Sequence, residues 1–394
     1  MELEIRDRYK VIINCITVKK NSGGAFQIAQ NFIKSAVDNV DFDWYYWLSD
    51  DLRSFGENIL KGTDQSKIQY FPTQPNFFGT YWDVKKKILK LEESLKADLI
   101  YTIASPSYFS YRTKEIMRYA NAWHVNLNRF AYKTLSFRGK LRYFFFTIIQ
   151  KAMLKKGKYF ITQTFSSKSG ILNVVKCPEN NIEVIPNTLP NIYMNKEALA
   201  SGGRESHNAD LNILYIAVPH PHKNIKVIPT ILRKLRARNP GKRIFFHVTI
   251  PKGAFLDKFK QKCNNLGVSD YVINHGYCTQ EKLIELYRNA DLYFFPSLLE
   301  TFSLSILESI FFKVPMVASD LNFNRDIAKE SIVYFSPENL EDAVEKLNLL
   351  INNESRYLQI QENMELFVKD NPQFFNYDHS FANTLEFFKR TIEQ

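Results

Sequence analysis

The sequence predicts an α/β protein of two Rossmann-like domains, each a doubly wound sheet, with a cleft between them. Three observations carry this. Apolar strand patterns alternate with amphipathic helix patterns through the first half of the chain, and the alternation restarts at Leu211. Between the two runs lies NKEALASGGRESHNAD, Asn195 to Asp210, a polar Gly/Ser-bearing stretch with the composition of a linker. The 394 residues suit about two domains, and 45% hydrophobic with 24% charged residues supplies two cores.

The first run opens with a buried strand, Tyr9–Ile16, a polar loop VKKNSGG, and the helical pattern AFQIAQNFIKSAV. Gly23 and Gly24 let a ligand or acceptor approach the helix start closely. They do not form G-x-G-x-x-G, so nothing supports a dinucleotide site. Strands follow at Trp44–Leu48, Ile68–Phe71 and Leu99–Ile103, the last after a helix over Val84–Lys96. Trp123–Asn126, in AWHVNLN, reads as a strand ending in a polar loop, and Tyr159–Thr162 and Ile182–Ile185 as short strands. In the second run, strands at Leu211–Ala217, Arg243–Ile250 and Tyr271–Ile273 alternate with helices at Asn224–Arg238, Gly253–Leu266 and Gln280–Asn289. Tyr377–Thr391 is a terminal amphipathic helix.

Charge is unevenly placed. The net charge is +11, yet Ile116 to Pro178 contains no Asp or Glu and twelve Lys and Arg, so the rest of the chain is near neutral. Within it FAYKTLSFRGKLRYFFFTIIQKAMLKKGKYF interleaves aromatics with cations, a pattern that suits an anionic membrane surface. An ordinary helix with a basic outer face is the competing reading. No nucleic-acid motif accompanies the charge, so nucleic acid is not an expected partner. The scattered Cys15, Cys177, Cys263 and Cys278 read as small buried apolar residues. MELEIRDRYK mixes acids and bases, unlike a signal peptide, and no apolar run approaches the ~20 residues that span a bilayer. The expected location is the cytoplasm, peripheral on the inner face of the membrane. There is no D-x-D, no metal-spaced His/Asp/Glu set and no G-x-S-x-G elbow, so no bound metal is required and hydrolase chemistry of that kind is excluded.

The most informative stretch is Asp291 to Asp320, DLYFFPSLLETFSLSILESIFFKVPMVASD. A strand Leu292–Phe295 runs into Pro296–Ser297, a loop carries Glu300 towards an apolar helix holding Glu308, and a buried strand Val314–Ala318 follows. On one helix the two carboxylates would sit about 80° and about 12 Å apart. The workable arrangement puts Glu300 on the loop, Thr301–Ser303 at the helix start and Glu308 two turns in. Free backbone N–H groups then face whatever lies beyond the strand ends, where an anion binds well.

This stretch resembles the E-x7-E motif of retaining glycosyltransferases with the GT-B fold, specifically glycosyltransferase family 4 (glycosyl transferases group 1). The resemblance implies that Glu300 lies by the donor sugar, that Glu308 holds the nucleotide ribose, and that the backbone of Phe302, Ser303 and Leu304 meets the diphosphate. ILYIAVPHPHKNIKVI places Lys223 where the family has the lysine that neutralises the diphosphate. Ala217 and Val218 stand where the family has Gly-Arg, a departure that leaves the diphosphate either to one cation with backbone amides or to help from His220 and His222. Gly276 and Tyr277 would bound the base pocket, and His124 would lie near the transferred sugar. VIPNTLPN at Val184–Asn191 resembles the family's IPN signature, and Gly23 and Gly24 its acceptor-side glycine loop.

The implied organisation is an acceptor-binding domain over residues 1–195, a linker over 196–210, a donor domain over 211–375, and a terminal segment, 376–394, crossing back onto the first domain. The implied activity is retaining, metal-independent transfer from a nucleotide sugar, with no cofactor, to a glycan or lipid-linked glycan, as in bacterial cell-surface polysaccharide assembly. Lys223 and the helix N-terminus would stabilise the departing diphosphate. Two other readings share the twin domains: another GT-B enzyme, such as a nucleotide-sugar epimerase or a phosphorylase, and a non-catalytic protein that binds glycan or membrane.

Overall fold

The structure is a computed structural model that describes residues 8–20, 24–73, 79–194 and 210–394. The linker expected over 196–210 therefore lies outside the described residues except Asp210, which begins a strand. Two parallel sheets are present. The first has the order β3-β2-β1-β4-β5-β6-β7. Its strands are β1 Lys10–Cys15, β2 Asp43–Ser49, β3 Ile68–Phe71, β4 Leu99–Ile103, β5 Glu115–Arg118, β6 Tyr159–Thr162 and β7 Ile182–Val184. The second has the order β10-β9-β8-β11-β12-β13. Its strands are β8 Asp210–Tyr215, β9 Arg243–Val248, β10 Val272–Asn274, β11 Leu292–Phe295, β12 Met316–Ser319 and β13 Val333–Phe335.

Helices cover both faces of each sheet, so the central strands read as continuous apolar runs: β4 (LIYTI), β11 (LYFF) and β12 (MVAS) are buried at every residue. Each sheet reverses its strand order once, between β1 and β4 and between β8 and β11. Such a reversal opens a crevice at the carboxyl ends of the strands. The loop after β8 carries Lys223 and the loop after β11 carries Glu300, so one crevice receives both.

The terminal helix, Tyr377–Glu393, leaves the second domain and packs on the first. Phe388 sits against Tyr101 at 4.9 Å and Phe32 at 6.1 Å between ring centroids. Lys114 Nζ donates to the carbonyls of Thr391 and Ile392 at the helix end, which favours a cation.

The expected elements differ from the observed ones in several places. Trp123–Asn126 is not a strand: Ala122–Val125 is one helical turn, because the Asn121 side chain accepts from Trp123 N and starts a helix. β5 carries no periodic apolar signal, since Glu115 and Arg118 frame only two apolar residues; the half-buried Glu115 accepts a hydrogen bond from the Thr102 hydroxyl. The helix expected from Asn224 begins with 3-10 turns, because Asn224 adopts left-handed backbone (φ 55°), and is α-helical from Ile228. The helix after Glu300 starts at Leu304, so Glu308 lies one turn in, not two.

The basic stretch forms a helix, Phe137–Leu154, started by Ser136 Oγ accepting from Gly139 N. It packs by Thr147, Gln150 and Leu154. At 100° per residue the opposite side carries Leu141, Phe145 and Ile149, with Phe137, Phe144 and Ile148 beside them, all exposed.

Candidate active site

Lys223 and Glu300 meet across the second switch point, with Lys223 Nζ 2.5 Å from Glu300 Oε1. Ser297 Oγ donates to the same oxygen at 2.7 Å. The Lys223 loop is held from below by the buried Tyr215, whose hydroxyl donates to the Lys223 carbonyl at 2.7 Å. It is tied to the Glu300 loop by Leu298 N donating to His222 O at 2.7 Å. Both charged groups keep some exposure, so the pair is held in place yet open to a ligand.

The first domain supplies the facing wall. The turn Ala122–Val125 brings the Trp123 ring edge-on to His222, with centroids 5.5 Å apart and planes at 87°. Asn126 Nδ2 donates to Glu300 O at 2.6 Å and Asn128 Nδ2 to Leu298 O at 2.8 Å, fixing the Glu300 loop from across the cleft. Ser166 completes the tie, its N and Oγ meeting Asp326 Oδ2 at 2.7 and 2.5 Å. The turn stays close because Gly170, on the helix Phe165–Leu172, has no side chain: a Cβ there would lie 1.9 Å from Val125 O.

His124 is buried on this wall, and its Nδ1 shares a hydrogen bond with the Tyr119 hydroxyl. Burial, with Lys151 adding, lowers its pKa to about 4, so it is neutral at pH 7. His222 is lowered to about 4 by the same burial, against the pull of Glu300. It is therefore neutral at pH 7, beside the Lys223 ammonium. His220 is exposed, its ring stacked on His222 at 5.5 Å. Val218 is also exposed.

Phe302 and Ser303 are buried and lead into the helix Leu304–Phe311. No side chain caps the N-terminus of that helix, which leaves its first N–H groups for a ligand. Glu308 is a buried carboxylate held by two tyrosines. It is 6% exposed, with Oε1 accepting from Tyr193 at 2.9 Å and Oε2 from Tyr287 at 2.7 Å. Burial raises its pKa despite the two phenols. Gly276 takes left-handed backbone (φ 68°), and Tyr277 beside it is 89% exposed.

Gly24 begins the helix Gly24–Asp38, and Gly23 lies outside the described residues. Gly24 and Leu304, the first residues of helices from the two domains, border one cavity of about 60 Å3. A neighbouring space of about 300 Å3 shares Gln27, Asn31, Pro190 and Tyr377 with it. Neither Lys223 nor Glu300 lines these spaces.

Sequence reasoning did not single out Trp123, Asn126, Asn128, Tyr193 or Tyr287. The two asparagines had a signal, the pair in NLN just before a helix that Asn128 caps. Tyr193 had none, since its partner is 115 residues away.

Residues 204–367 match the model of the family described as Glycosyl transferases group 1. Over 241 residues the chain is 22% identical to an uncharacterized glycosyltransferase of Methanocaldococcus jannaschii, covering 59% of this chain. The match spans only 60% of the length of that relative. Among solved structures, Anabaena HepE in complex with UDP and glucose is similar with a TM-score of 0.68 at 14% identity, over 96% of this chain and 99% of that one. The lipopolysaccharide outer core galactosyltransferase WaaB is similar with a TM-score of 0.65 at 14% identity, over 97% of this chain and 99% of that one.

Proposed function

We propose that this chain, which has the GT-B fold and a glycosyl transferases group 1 domain, moves a sugar from a UDP-sugar to a glycan or lipid-linked glycan, with retention and without a metal. The observation that carries the reading is the Lys223–Glu300 pair at the switch point. A cation beside a carboxylate suits a donor with a diphosphate at one end and hydroxyls at the other. Lys223 and the N–H groups at Leu304 face the diphosphate, while Glu300 accepts from sugar hydroxyls. The bond from the anomeric carbon to the diphosphate oxygen breaks, and the acceptor hydroxyl attacks from the same face. Its proton passes to the leaving phosphate oxygen, so no strong general base is needed. Neutral His124 donates or accepts a hydrogen bond beside the sugar.

Glu308 fits a ribose role as a third contact. A carboxylate has about four lone-pair sites, and the two tyrosines use one on each oxygen. The tyrosines fix the carboxylate, and ribose hydroxyls take what remains. The uridine base is favoured by the likeness to HepE, whose complex contains UDP and glucose. A cell-surface glycan acceptor is favoured by the likeness to WaaB, a lipopolysaccharide galactosyltransferase. The exposed apolar side of Phe137–Leu154, bordered by Lys140 and Lys151 on one edge and Arg142 on the other, suits docking on an anionic bilayer.

Thermal shift with UDP and UDP-glucose in the presence of a chelator tests the donor site. A ligand that binds only the folded state raises the melting temperature by mass action. The expected shift is present in the wild type and lost in Lys223→Ala. Absence of a shift with every nucleotide sugar would favour a non-catalytic glycan-binding role, with Val218 in place of the arginine as the reason.

A further inference from the structure

We propose that the first domain holds a recessed subsite for one anionic group of the acceptor, a carboxylate or a phosphate, gripped by the buried guanidinium of Arg118; only the word acceptor rests on the glycosyltransferase reading. Arg118 closes β5 and is 6% exposed. Its Nη2 donates to Asn187 Oδ1 at 2.9 Å and to Ile185 O at 3.5 Å, both neutral acceptors. Its Nε is buried and makes no well-formed hydrogen bond among the described residues, and the hydroxyl of Tyr101, fully buried on the adjacent β4, lies beside the guanidinium with no other partner there. No acid pairs with Arg118 among the described residues. An arginine cannot lose its charge to escape this position, and a buried charge without a counter-ion is costly. The unmet fork is therefore better explained by an anion that completes it.

The space beside it has the right character. Arg118 and Tyr101 both line the cavity of about 60 Å3, room for a small group and little more. Its polar wall is neutral, with Gln27, Asn31, Asn187, Thr188, Ser380 and Thr384 offering amides and hydroxyls. The adjoining space of about 300 Å3 extends the site to the size that takes a small ligand. The cavity sits at the carboxyl ends of β4 and β5, where ligands of doubly wound sheets bind. Leu304 on its rim brings a bound acceptor towards the donor domain. The planar fork meets a carboxylate or phosphate through parallel hydrogen bonds, which a lysine does not match.

The test is thermal shift with inorganic phosphate and, separately, glucuronate, each titrated in saturating UDP so that the diphosphate site is filled. Wild type should show a saturable rise with at least one anion, and Arg118→Gln should show none while keeping its UDP shift. A response to phosphate alone assigns a phosphorylated acceptor, and a response to glucuronate alone an acidic sugar. Arg118→Lys and Tyr101→Phe keep the test open if the glutamine variant does not fold; the lysine should weaken anion binding about tenfold or more. Equal responses in wild type and the Arg118 variants, or no response to either anion, overturn the proposal. Loss of the UDP shift in the wild type would remove the donor reading and leave the anion result to be judged alone.

Discussion

Lys223 Nζ and Glu300 Oε1, 77 residues apart in sequence, lie 2.5 Å apart because their loops follow the two strands, β8 and β11, that flank the switch point of the second sheet. In the absence of ligand each charge neutralises the other. A diphosphate would take over the ammonium and free the carboxylate for the sugar, so the two residues should respond differently to substitution. Lys223→Ala removes a charged hydrogen bond to the ligand, and UDP affinity should fall about 10- to 100-fold. Glu300→Ala releases Lys223 and should leave UDP affinity unchanged or higher, while transfer from the UDP-sugar collapses. Calorimetry of UDP binding beside a transfer assay separates the two effects; equal loss of UDP affinity in both variants would refute the division of roles.

The Glu308 carboxyl carries a prediction whose sign is set by its environment. Burial raises its pKa in the folded state. A carboxyl raised above its unfolded value of about 4.3 contributes most stability below that value and loses it as pH rises through the folded one. The stability difference between wild type and Glu308→Gln should therefore shrink or reverse as the pH rises above the unfolded value of about 4.3. Tyr193→Phe and Tyr287→Phe each remove one donor and should cost about 1–3 kcal/mol. Denaturant melts at several pH values check both; a difference growing towards neutral pH would show that the hydrogen bonds outweigh burial.

His124 and His222 titrate with the opposite sense. Their folded values of about 4 lie below the usual histidine value of about 6.5. The unfolded chain takes up these protons first, so stability present above pH 6.5 should be lost progressively down to about pH 4. His124→Gln should flatten part of that slope in melting temperature against pH. A profile identical to that of the wild type would mean that His124 does not change protonation on unfolding.

These residues mark how far the sequence could be read. Leu292–Phe295, the Glu300 loop and Lys223 were legible because a buried parallel strand is a continuous apolar run with its loop at a known edge. The terminal helix was legible from its amphipathic pattern. The turn at His124 was misread as a strand because four residues, Ala122–Val125, have no period, and the deciding signal was a single asparagine cap at Asn121. The tyrosine pair on Glu308 and the hold of Asn187 on the Arg118 guanidinium had no local signal, since both arise from long-range packing.

Gly170 gives a direct check on the wall that carries His124. A methyl group there would meet Val125 O at 1.9 Å, and the partner is backbone that cannot swing aside. Gly170→Ala should cost about 1–3 kcal/mol as an overpacked site does. It should also lower transfer activity more than UDP affinity, because the displaced turn belongs to the acceptor side. Unchanged melting temperature and turnover would show that the turn moves freely.

Membrane docking is decided by flotation. The outward side of Phe137–Leu154 exposes Leu141, Phe144, Phe145, Ile148 and Ile149, and burying each aromatic or branched side chain is worth roughly 1.5–3 kcal/mol. Flanking cations add about 1 kcal/mol each on an anionic surface at low salt. Wild type should float with vesicles containing phosphatidylglycerol and much less with neutral vesicles. Phe144→Ser with Phe145→Ser should weaken flotation at any salt, because the apolar contribution is not screened. Arg142→Gln with Lys151→Gln should weaken it at low salt only, since raising the salt already screens what those charges supply. Retention in the soluble fraction with anionic vesicles at low salt would assign the apolar side to another partner, and the two pairs of variants would then behave alike.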